Sequence, residues 1–208
     1  MASIYIHIPF CKSICAYCDF AKVLYNKELA ISYLEKLSSE IEDSYEHEPV
    51  ETLYIGGGTP SCLSEFEREK LKSIIDSFEL TQNCEFTFEC NIEDIDLSLL
   101  YDLREMGVNR LSIGVESFDC DKLAFMGRKA DYKDVENKMN LVKNAGFENV
   151  NIDLMYGIPY ERVRDLKKDL NLFLKLAPEH ISTYSLIIED YTLCKIREDQ
   201  NIKEEEEL

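Results

Sequence analysis

Basic residues are scarce in this 208-residue chain. Lysine and arginine together number 23 against 41 acidic residues, which gives a formal net charge of −18 at pH 7. Proteins bind nucleic acids and anionic membrane surfaces through clustered Lys and Arg side chains. The scarcity of such residues therefore argues against both classes of partner.

Long apolar runs and a secretion signal are also absent from the sequence. No stretch is long enough to cross a bilayer as a helix. Residues 1–13 lack a basic start, an apolar stretch and a small-residue cleavage site. We therefore expect a cytoplasmic protein without a membrane span, in a compartment that keeps thiols reduced. Eight cysteines in such a chain indicate metal binding or catalysis rather than disulfides.

No stretch rich in Pro, Gly or Ser divides the chain, so a second domain is not expected. We predict one core domain over residues 1–190. Residues 191–208 end in the acidic run Glu204–Glu207, which is typical of a solvated C-terminal tail.

Short apolar runs alternate with segments of helical periodicity, which predicts an α/β fold with a parallel sheet. The predicted strands are Ile4–Ile8, Thr52–Ile55, Glu85–Glu89, Arg110–Val115, Val150–Met155 and His180–Ile187. Five helices are predicted. The first has Leu34 and Leu37 on its apolar face, and the second begins with a capping box formed by Ser64 and Glu67. The other three cover about 97–106, 132–145 and 165–176. The pattern leaves open a doubly wound sheet and an incomplete TIM-type barrel, and both place the site at the carboxyl ends of the strands.

Three cysteines follow the first predicted strand with the spacing C-x3-C-x2-C, at Cys11, Cys15 and Cys18. Three thiolates in so short a loop suit a [4Fe–4S] cluster with one iron left for an exogenous ligand. A zinc site would normally have a fourth Cys or His in a second close pair, and no such pair follows. Zinc, or three buried thiols without a ligand, are the alternatives. The remaining cysteines lack ligand spacing and are interpreted as small apolar residues or free thiols: Cys62, Cys84, Cys90, Cys120 and Cys194.

A glycine-rich turn, Gly56–Pro60, follows the second predicted strand. Glycines allow a ligand to approach the backbone closely, but no Gly-Lys-Ser/Thr follows, so the turn is not a P-loop. Four further polar residues fall in or just after the later strands, where carboxylates can bind hydroxyl or ammonium groups and an arginine can pair with a carboxylate. They are Glu89, Glu116, Arg128 and Asp153.

The cysteine spacing, with Tyr17 before the third cysteine, resembles the signature of the radical SAM superfamily. Within it, the chain from Ser3 to Asp190 resembles the oxygen-independent coproporphyrinogen III oxidase family and its HemW-like haem chaperone branch. The segments that carry this resemblance are Tyr5–Cys11, Gly56–Ser61, Asn109–Val115, Asn151–Pro159 and Pro178–Ser182.

The resemblance implies a partial TIM-type (β/α)6 barrel, a [4Fe–4S] cluster on Cys11, Cys15 and Cys18, and S-adenosylmethionine (SAM) on the open iron. In such proteins an electron from the cluster splits SAM into methionine and a 5′-deoxyadenosyl radical. The family's SAM-contacting positions correspond to Tyr5, Tyr17, Gly57, Gly58, Thr59, Glu89, Arg128 and Asp153. Glu116 occupies a further such position, where the family usually has Gln.

Two departures from the family pattern bear on function. Phe20 stands where the oxidases carry an additional cysteine, which favours the chaperone branch, with haem or a porphyrin as ligand. That branch also implies a reduced electron-donor protein and a haem-accepting protein. Family members continue beyond the position of Leu208, into a region that this sequence does not contain. The alternatives are therefore a coproporphyrinogen III oxidase, which decarboxylates propionate side chains oxidatively, and an inactive, truncated cluster-binding remnant.

Overall fold

Strands and helices alternate along the chain, and the computed structural model describes residues 1–190 and 192–196. In chain order the elements are β1 (Ala2–Ile8), β2 (Phe10–Cys11), β3 (Val23–Leu24), α1 (Lys27–Ser44), β4 (Val50–Gly57), α2 (Glu65–Ile75), β5 (Leu80–Asn91), α3 (Leu97–Glu105), β6 (Arg110–Glu116), α4 (Cys120–Met126), α5 (Tyr132–Asn144), β7 (Val150–Tyr156), α6 (Val163–Leu176) and β8 (His180–Ser185). Short 3-10 turns follow β4 at Pro60–Cys62 and β5 at Ile92–Asp94.

Six strands form one parallel sheet in the order β1-β4-β5-β6-β7-β8. The order follows the chain without a reversal, whereas a doubly wound sheet reverses at its switch point. Right-handed crossovers that all step in one direction place the helices on one side of the sheet. The predicted α/β class with a parallel sheet is confirmed, and of the two architectures left open the order selects the partial barrel.

Successive side chains of each strand point to opposite faces of the sheet, and here one face is apolar and the other polar. Five of the strands contribute pairs of residues to the core beneath the helices, namely Ile6 and Ile8, Leu53 and Ile55, Phe86 and Phe88, Leu111 and Ile113, and Ile152 and Leu154. The residues between and beside these pairs face the concave side, and there Glu89 lies opposite Ser112 and Asp153 opposite Ser182 in the strand register. The sheet therefore presents polar side chains to the interior of the barrel.

Helix boundaries follow the capping residues that the sequence predicts. The Glu67 carboxylate accepts a hydrogen bond from the Ser64 N–H at 2.7 Å, which is the Glu half of the predicted capping box. Gly107 and Gly146 take left-handed φ values of +88° and +83° directly after α3 and α5. None of the helices in the described residues is long and apolar enough to span a membrane.

The sequence pattern does not predict two elements of the structure, the helix α4 and the strand pair β2 and β3. The short helix α4 begins after Asp119, whose side chain accepts hydrogen bonds from the N–H groups of Asp121 and Lys122, and ends at Gly127. Its seven residues make too few turns for an apolar period to stand out. The two-residue pair β2 and β3 is likewise too short to carry a strand pattern. Both features border the candidate site.

Candidate functional site

A cavity of about 320 Å³ opens at the carboxyl ends of the main strands. Its walls include most of the residues that the sequence singles out, namely Cys11, Cys15, Tyr17, Cys18, Gly57, Gly58, Thr59, Glu89, Glu116, Arg128 and Asp153. Tyr5 is not part of this wall. Its ring instead lies 5.9 Å from that of Tyr54, which does line the cavity, and its hydroxyl lies 3.0 Å from Nδ1 of His7.

The three candidate cluster ligands lie in the cysteine loop, residues 11–18, which begins as β2 ends. Cys11 is buried, Cys15 and Cys18 are half-buried, and none of the three is in a disulfide. Burial raises the pKa of both the Cys11 and the Cys15 thiol, and a hydrogen bond from Thr59 to Cys11 and the charge of Arg128 near Cys15 oppose the effect. The loop thus turns three thiols toward one cavity.

The arrangement of these thiols differs from a single-ion site. A zinc ion holds each sulfur at about 2.3 Å, so its ligands converge on one point. Within residues 1–190 and 192–196, no three His, Cys, Asp or Glu side chains are gathered in that way. All three cysteines line one cavity, an arrangement that suits a cluster in which each thiolate binds a different iron.

The glycine turn is packed too closely for side chains. A Cβ atom on Gly58 would lie 2.8 Å from the Pro9 carbonyl, and one on Gly57, which has φ +122°, would lie 2.8 Å from the His7 ring. The N–H groups of Gly57 and Gly58 are already used, since they donate to the Glu89 carboxylate and to the Ile8 carbonyl. These two N–H groups are therefore already paired, which leaves carbonyl oxygens as the backbone groups that Gly57 and Gly58 can offer to a ligand.

Glu89 is fixed on the cavity wall by two donors. The Tyr54 hydroxyl donates to Oε1 at 2.6 Å and the Gly57 N–H donates to Oε2 at 3.1 Å. Burial raises the pKa of the Glu89 carboxyl, and these two hydrogen bonds oppose the rise. Among the described residues no salt bridge reaches Glu89, so its charge remains directed into the cavity.

Glu116 and Arg128 form a buried ion pair, with 3.5 Å between Arg128 Nη1 and Glu116 Oε1. Glu116 ends β6 with a left-handed φ of +70°, beside a register shift in the β6–β7 ladder. Its Oε2 accepts a hydrogen bond of 2.5 Å from Tyr184. Burial raises the pKa of Glu116, against the lowering effect of Arg128.

Arg128 also has an unused donor. Its Nη2 donates to the Asn91 amide oxygen and, at 2.7 Å, to the Gly114 carbonyl. Its Nε is buried and has no hydrogen-bond partner. Burial alone would lower the pKa of the guanidinium, but Glu116 and other neighbours outweigh it and the net shift is upward. Arg128 is therefore a permanent cation on this wall with an orphaned donor.

Asp153 lines the cavity from β7, the strand next to the one that carries Ser112 and Glu116. Its carboxylate accepts hydrogen bonds from Asn151 Nδ2 at 2.7 Å and from Ser112 Oγ at 3.5 Å. Burial raises the pKa of the Asp153 carboxyl despite these donors. As with Glu89, no salt bridge within residues 1–190 and 192–196 involves this carboxylate.

Sequence reasoning missed several residues on these walls, including Tyr54, Asn91, Ser112, Ser182 and Tyr184. Most of them could have been found from the way side chains alternate between the two faces of a strand. Ser112 shares the concave side with Glu116, and Ser182 and Tyr184 are two residues apart on β8. Lys22 also lines the cavity, where its ammonium donates to the carbonyls of Cys18 and Phe20. No sequence pattern marks a lysine in that role.

The molecule is a partial barrel with a three-cysteine loop and a glycine turn at the carboxyl ends of its strands. The family model described as the radical SAM superfamily matches residues 5–173. This chain belongs to the radical SAM superfamily. Membership implies a [4Fe–4S] cluster and SAM as its cofactors.

Among radical SAM proteins, the chain is similar to haem chaperones named HemW. It is 42% identical to that of Lactococcus lactis over 197 residues, which cover 94% of this chain and 52% of the relative. It is 40% identical to that of Bacillus subtilis over 201 residues, covering 93% and 52%. The chain thus spans about half the length of the curated relatives it matches.

A solved structure gives the same result for the fold. The chain superposes on coproporphyrinogen III oxidase (HemN) from Escherichia coli, described as a radical SAM enzyme, with a TM-score of 0.84. The two are 27% identical, and the match covers 96% of this chain and 51% of the other. The partial barrel is therefore the common element of the two chains.

Proposed function

We propose that this chain binds a [4Fe–4S] cluster through Cys11, Cys15 and Cys18, binds SAM in the adjoining cavity, and acts in haem handling as a HemW-like chaperone. The observation that carries the proposal is the meeting, in one cavity, of three thiols, a glycine turn and an acidic inner wall. Residues 1–190 would form the core that holds both cofactors. The expected acidic tail over residues 191–208 is kept as a proposal only for residues 197–208, which lie outside the described residues, because residues 192–196 form a helical turn in which Thr192 and Cys194 are buried.

The donor set fits the cluster. Cysteine thiolates are the usual ligands of [4Fe–4S] clusters, and three of them leave one iron for another ligand. The three thiols border the cavity without converging on a single-ion site. Thr59 and Lys22 add hydrogen bonds to Cys11 Sγ and to the Cys18 carbonyl, which would hold the loop in shape.

The cavity walls fit SAM by charge. SAM carries a sulfonium and an ammonium group against one carboxylate, so it is a net cation. The walls contain three carboxylates, Glu89, Glu116 and Asp153, and two of them have no basic partner among the described residues. Arg128, with its buried and unpartnered Nε, would pair with the SAM carboxylate. The acceptors of the glycine turn would receive the ammonium group.

When bound, the cluster and SAM together supply one-electron chemistry, and the protein's own residues bind, orient and exclude water. Glu89 and Asp153 would fix the cationic groups, and Arg128 the anionic one. Tyr17 packs beside the apolar cluster of Leu123, Met126, Met155 and Ile158, which shields this side of the cavity from solvent. The role of Tyr5 would be indirect, through Tyr54, whose hydroxyl holds Glu89.

Two observations favour a haem chaperone over an oxidase. The relatives named as haem chaperones are 32% to 42% identical to this chain, whereas a relative named as an oxygen-independent coproporphyrinogen III oxidase is 30% identical. Phe20, which is 70% exposed beside the cavity, stands where the oxidases carry an additional cysteine. The oxidase is the second candidate, because the superposition on coproporphyrinogen III oxidase (HemN) extends over nearly the whole chain.

Anaerobic reconstitution with iron and sulfide tests the cluster. We expect about four irons per chain with the absorbance and, after reduction, the EPR signal of a [4Fe–4S] cluster. Cys11→Ala, Cys15→Ala and Cys18→Ala should each abolish it. Cys120→Ala, which alters an exposed cysteine outside the cavity, is the matched control and should keep it. Full iron loading of Cys15→Ala would show that the ligands are wrongly chosen.

Ligand measurements separate the candidate functions. The loaded protein should bind SAM in equilibrium dialysis and bind haem with saturation in an optical titration. Haem binding without conversion of coproporphyrinogen supports the chaperone, and decarboxylation of coproporphyrinogen supports the oxidase. A cluster that forms while neither SAM nor haem binds would indicate an inactive remnant. Pull-down with a flavodoxin or ferredoxin and with an apo-haem protein tests the expected electron donor and haem acceptor.

A further inference from the structure

The backbone of Ala16, which directly follows Cys15 in the cysteine loop, is held from two directions. Its N–H donates to the Met126 carbonyl at the end of α4 across 3.0 Å. Its carbonyl accepts a hydrogen bond from the Cys194 N–H, also at 3.0 Å. Ala16 is 2% exposed, so neither bond competes freely with water.

The second partner belongs to a short helical turn, residues 192–196, that follows β8. Thr192 begins this turn: its Oγ1 donates to the Glu189 carbonyl at 2.8 Å and accepts from the Lys195 N–H at 3.3 Å. The Ile196 N–H donates to the Thr192 carbonyl, which closes the turn. Cys194 is fully buried and Thr192 is 4% exposed, so the turn is packed against the protein.

We propose that the turn at 192–196 is a clamp on the cysteine loop, in which the backbone N–H of Cys194 acts as a positioning group for Cys15 and Cys18 through the Ala16 carbonyl. The inference rests on the proposed cluster-binding function. It assigns a role to a segment that lies beyond the matched superfamily region, residues 5–173, and to a cysteine whose spacing gives no sign of one.

The physical reason is the geometry of the loop between two ligands. Only Ala16 and Tyr17 separate Cys15 from Cys18, so the two peptide units on either side of the Ala16 Cα set where both thiols lie. Tyr17 is anchored by its ring, which packs against the apolar cluster around Met126 and Met155. Each of the two peptide units is fixed by one hydrogen bond, the Cys15–Ala16 unit to α4 and the Ala16–Tyr17 unit to the clamp. Loss of the clamp releases the Ala16–Tyr17 unit while the ring stays in place.

The test compares Cys194→Pro, which removes the N–H, with Cys194→Ala, which keeps it. In the metal-free full chain, hydrogen–deuterium exchange of a peptide containing residues 15–18 should be about fivefold faster in the proline variant, the factor expected for loss of one ordinary hydrogen bond. After reconstitution, the proline variant should lose iron to a chelator about fivefold faster, with an altered EPR signal. The alanine variant keeps the N–H, so it should lie much closer to the native chain than the proline variant does in both measurements.

Thr192→Val and Thr192→Ser form a second pair, in case proline disturbs more than one bond. The valine variant loses the hydroxyl that begins the turn, and the serine variant retains it, so only valine should accelerate exchange at 15–18. Equal exchange and equal iron loss in all variants would overturn the clamp. If the native chain assembles no cluster, the proposed function fails, while the exchange measurement still decides whether residues 192–196 hold the loop.

Discussion

The hydroxyl of Thr59 donates a hydrogen bond to the sulfur of Cys11 across 3.4 Å. Hydrogen bonds to the sulfur ligands of an iron–sulfur cluster raise its reduction potential, because they stabilise the more electron-rich reduced state. We therefore expect Thr59→Val to lower the midpoint potential of the reconstituted cluster. A redox titration followed by EPR measures this directly.

Thr59→Ser provides the control for this prediction, since it keeps the hydroxyl and removes only a methyl group. Its midpoint potential should lie close to that of the native protein. If valine and serine shift the potential equally, the hydrogen bond is not the cause. Iron content should be measured in parallel, to separate a change in potential from a change in cluster occupancy.

Asp153→Asn should stabilise the metal-free protein at neutral pH. Burial raises the folded-state pKa of this carboxyl above its ordinary value, so the stability that its protonated form provides is lost as pH rises through that pKa. An amide avoids this loss. We expect Tm to rise by about 2–4 °C at pH 8, as about 1 kcal/mol would give, and the difference to shrink as pH falls toward the raised pKa of Asp153. Thermal melts at several pH values measure it.

The same substitution should weaken SAM binding, because it removes a carboxylate from the wall that faces a cation. A gain in stability together with a loss of affinity is the expected trade-off for a charged group kept for function. An Asp153→Asn protein that binds SAM as well as the native protein would argue against its role in the cavity.

A comparison of Gly57→Ala with Gly107→Ala distinguishes the effect of a steric clash at the cavity from the effect of backbone strain. Both glycines have positive φ, and a Cβ on Gly57 would meet the His7 ring, whereas a Cβ on Gly107 would meet nothing within 4 Å. Each variant should lose about 1–2 kcal/mol of unfolding free energy from the left-handed conformation alone. Only Gly57→Ala should also lower SAM affinity, as measured by equilibrium dialysis. A similar affinity loss in Gly107→Ala would contradict this assignment.

Lys122 should be essential for stability. Its ammonium pairs with Asp169 at 2.9 Å and with Glu161, and all three side chains are less than a tenth exposed. Lys122→Met leaves two carboxylates buried without a cation, a cost of about 3–5 kcal/mol, so Tm should fall by about 10 °C. Lys168→Met, at an exposed lysine 3.7 Å from Asp119, should have almost no effect.

Much of the fold follows from local pattern. β-branched runs predict all six main strands, and capping residues predict the ends of α2, α3 and α5. The choice between a barrel and a doubly wound sheet depends on the direction of each crossover, which the pattern of a strand does not encode. The helix α4 was missed although Asp119 and Gly127 mark its ends, because seven residues carry too little periodicity.

The site residues that are contiguous in sequence could be predicted, whereas those that meet only through the pairing of different strands were harder to predict. The cysteine loop and the glycine turn are contiguous in sequence. The donors to Glu89 and Asp153, by contrast, come from other strands or the glycine turn, as with Tyr54 and Ser112. The hydrogen bond of the clamp to Ala16 joins backbone atoms of positions 178 residues apart. No side-chain pattern encodes such a contact.

Gly56 bears on how this site can change over evolutionary time. A Cβ there would lie 2.7 Å from the Glu89 carboxyl carbon, so the residue types allowed at the two positions are linked. An alanine at 56 would push the Glu89 carboxyl away from the Tyr54 hydroxyl and the Gly57 N–H that hold it, whereas a shorter residue at 89 leaves room for alanine at 56. Among relatives that keep this placement of Glu89, these two positions should therefore change together.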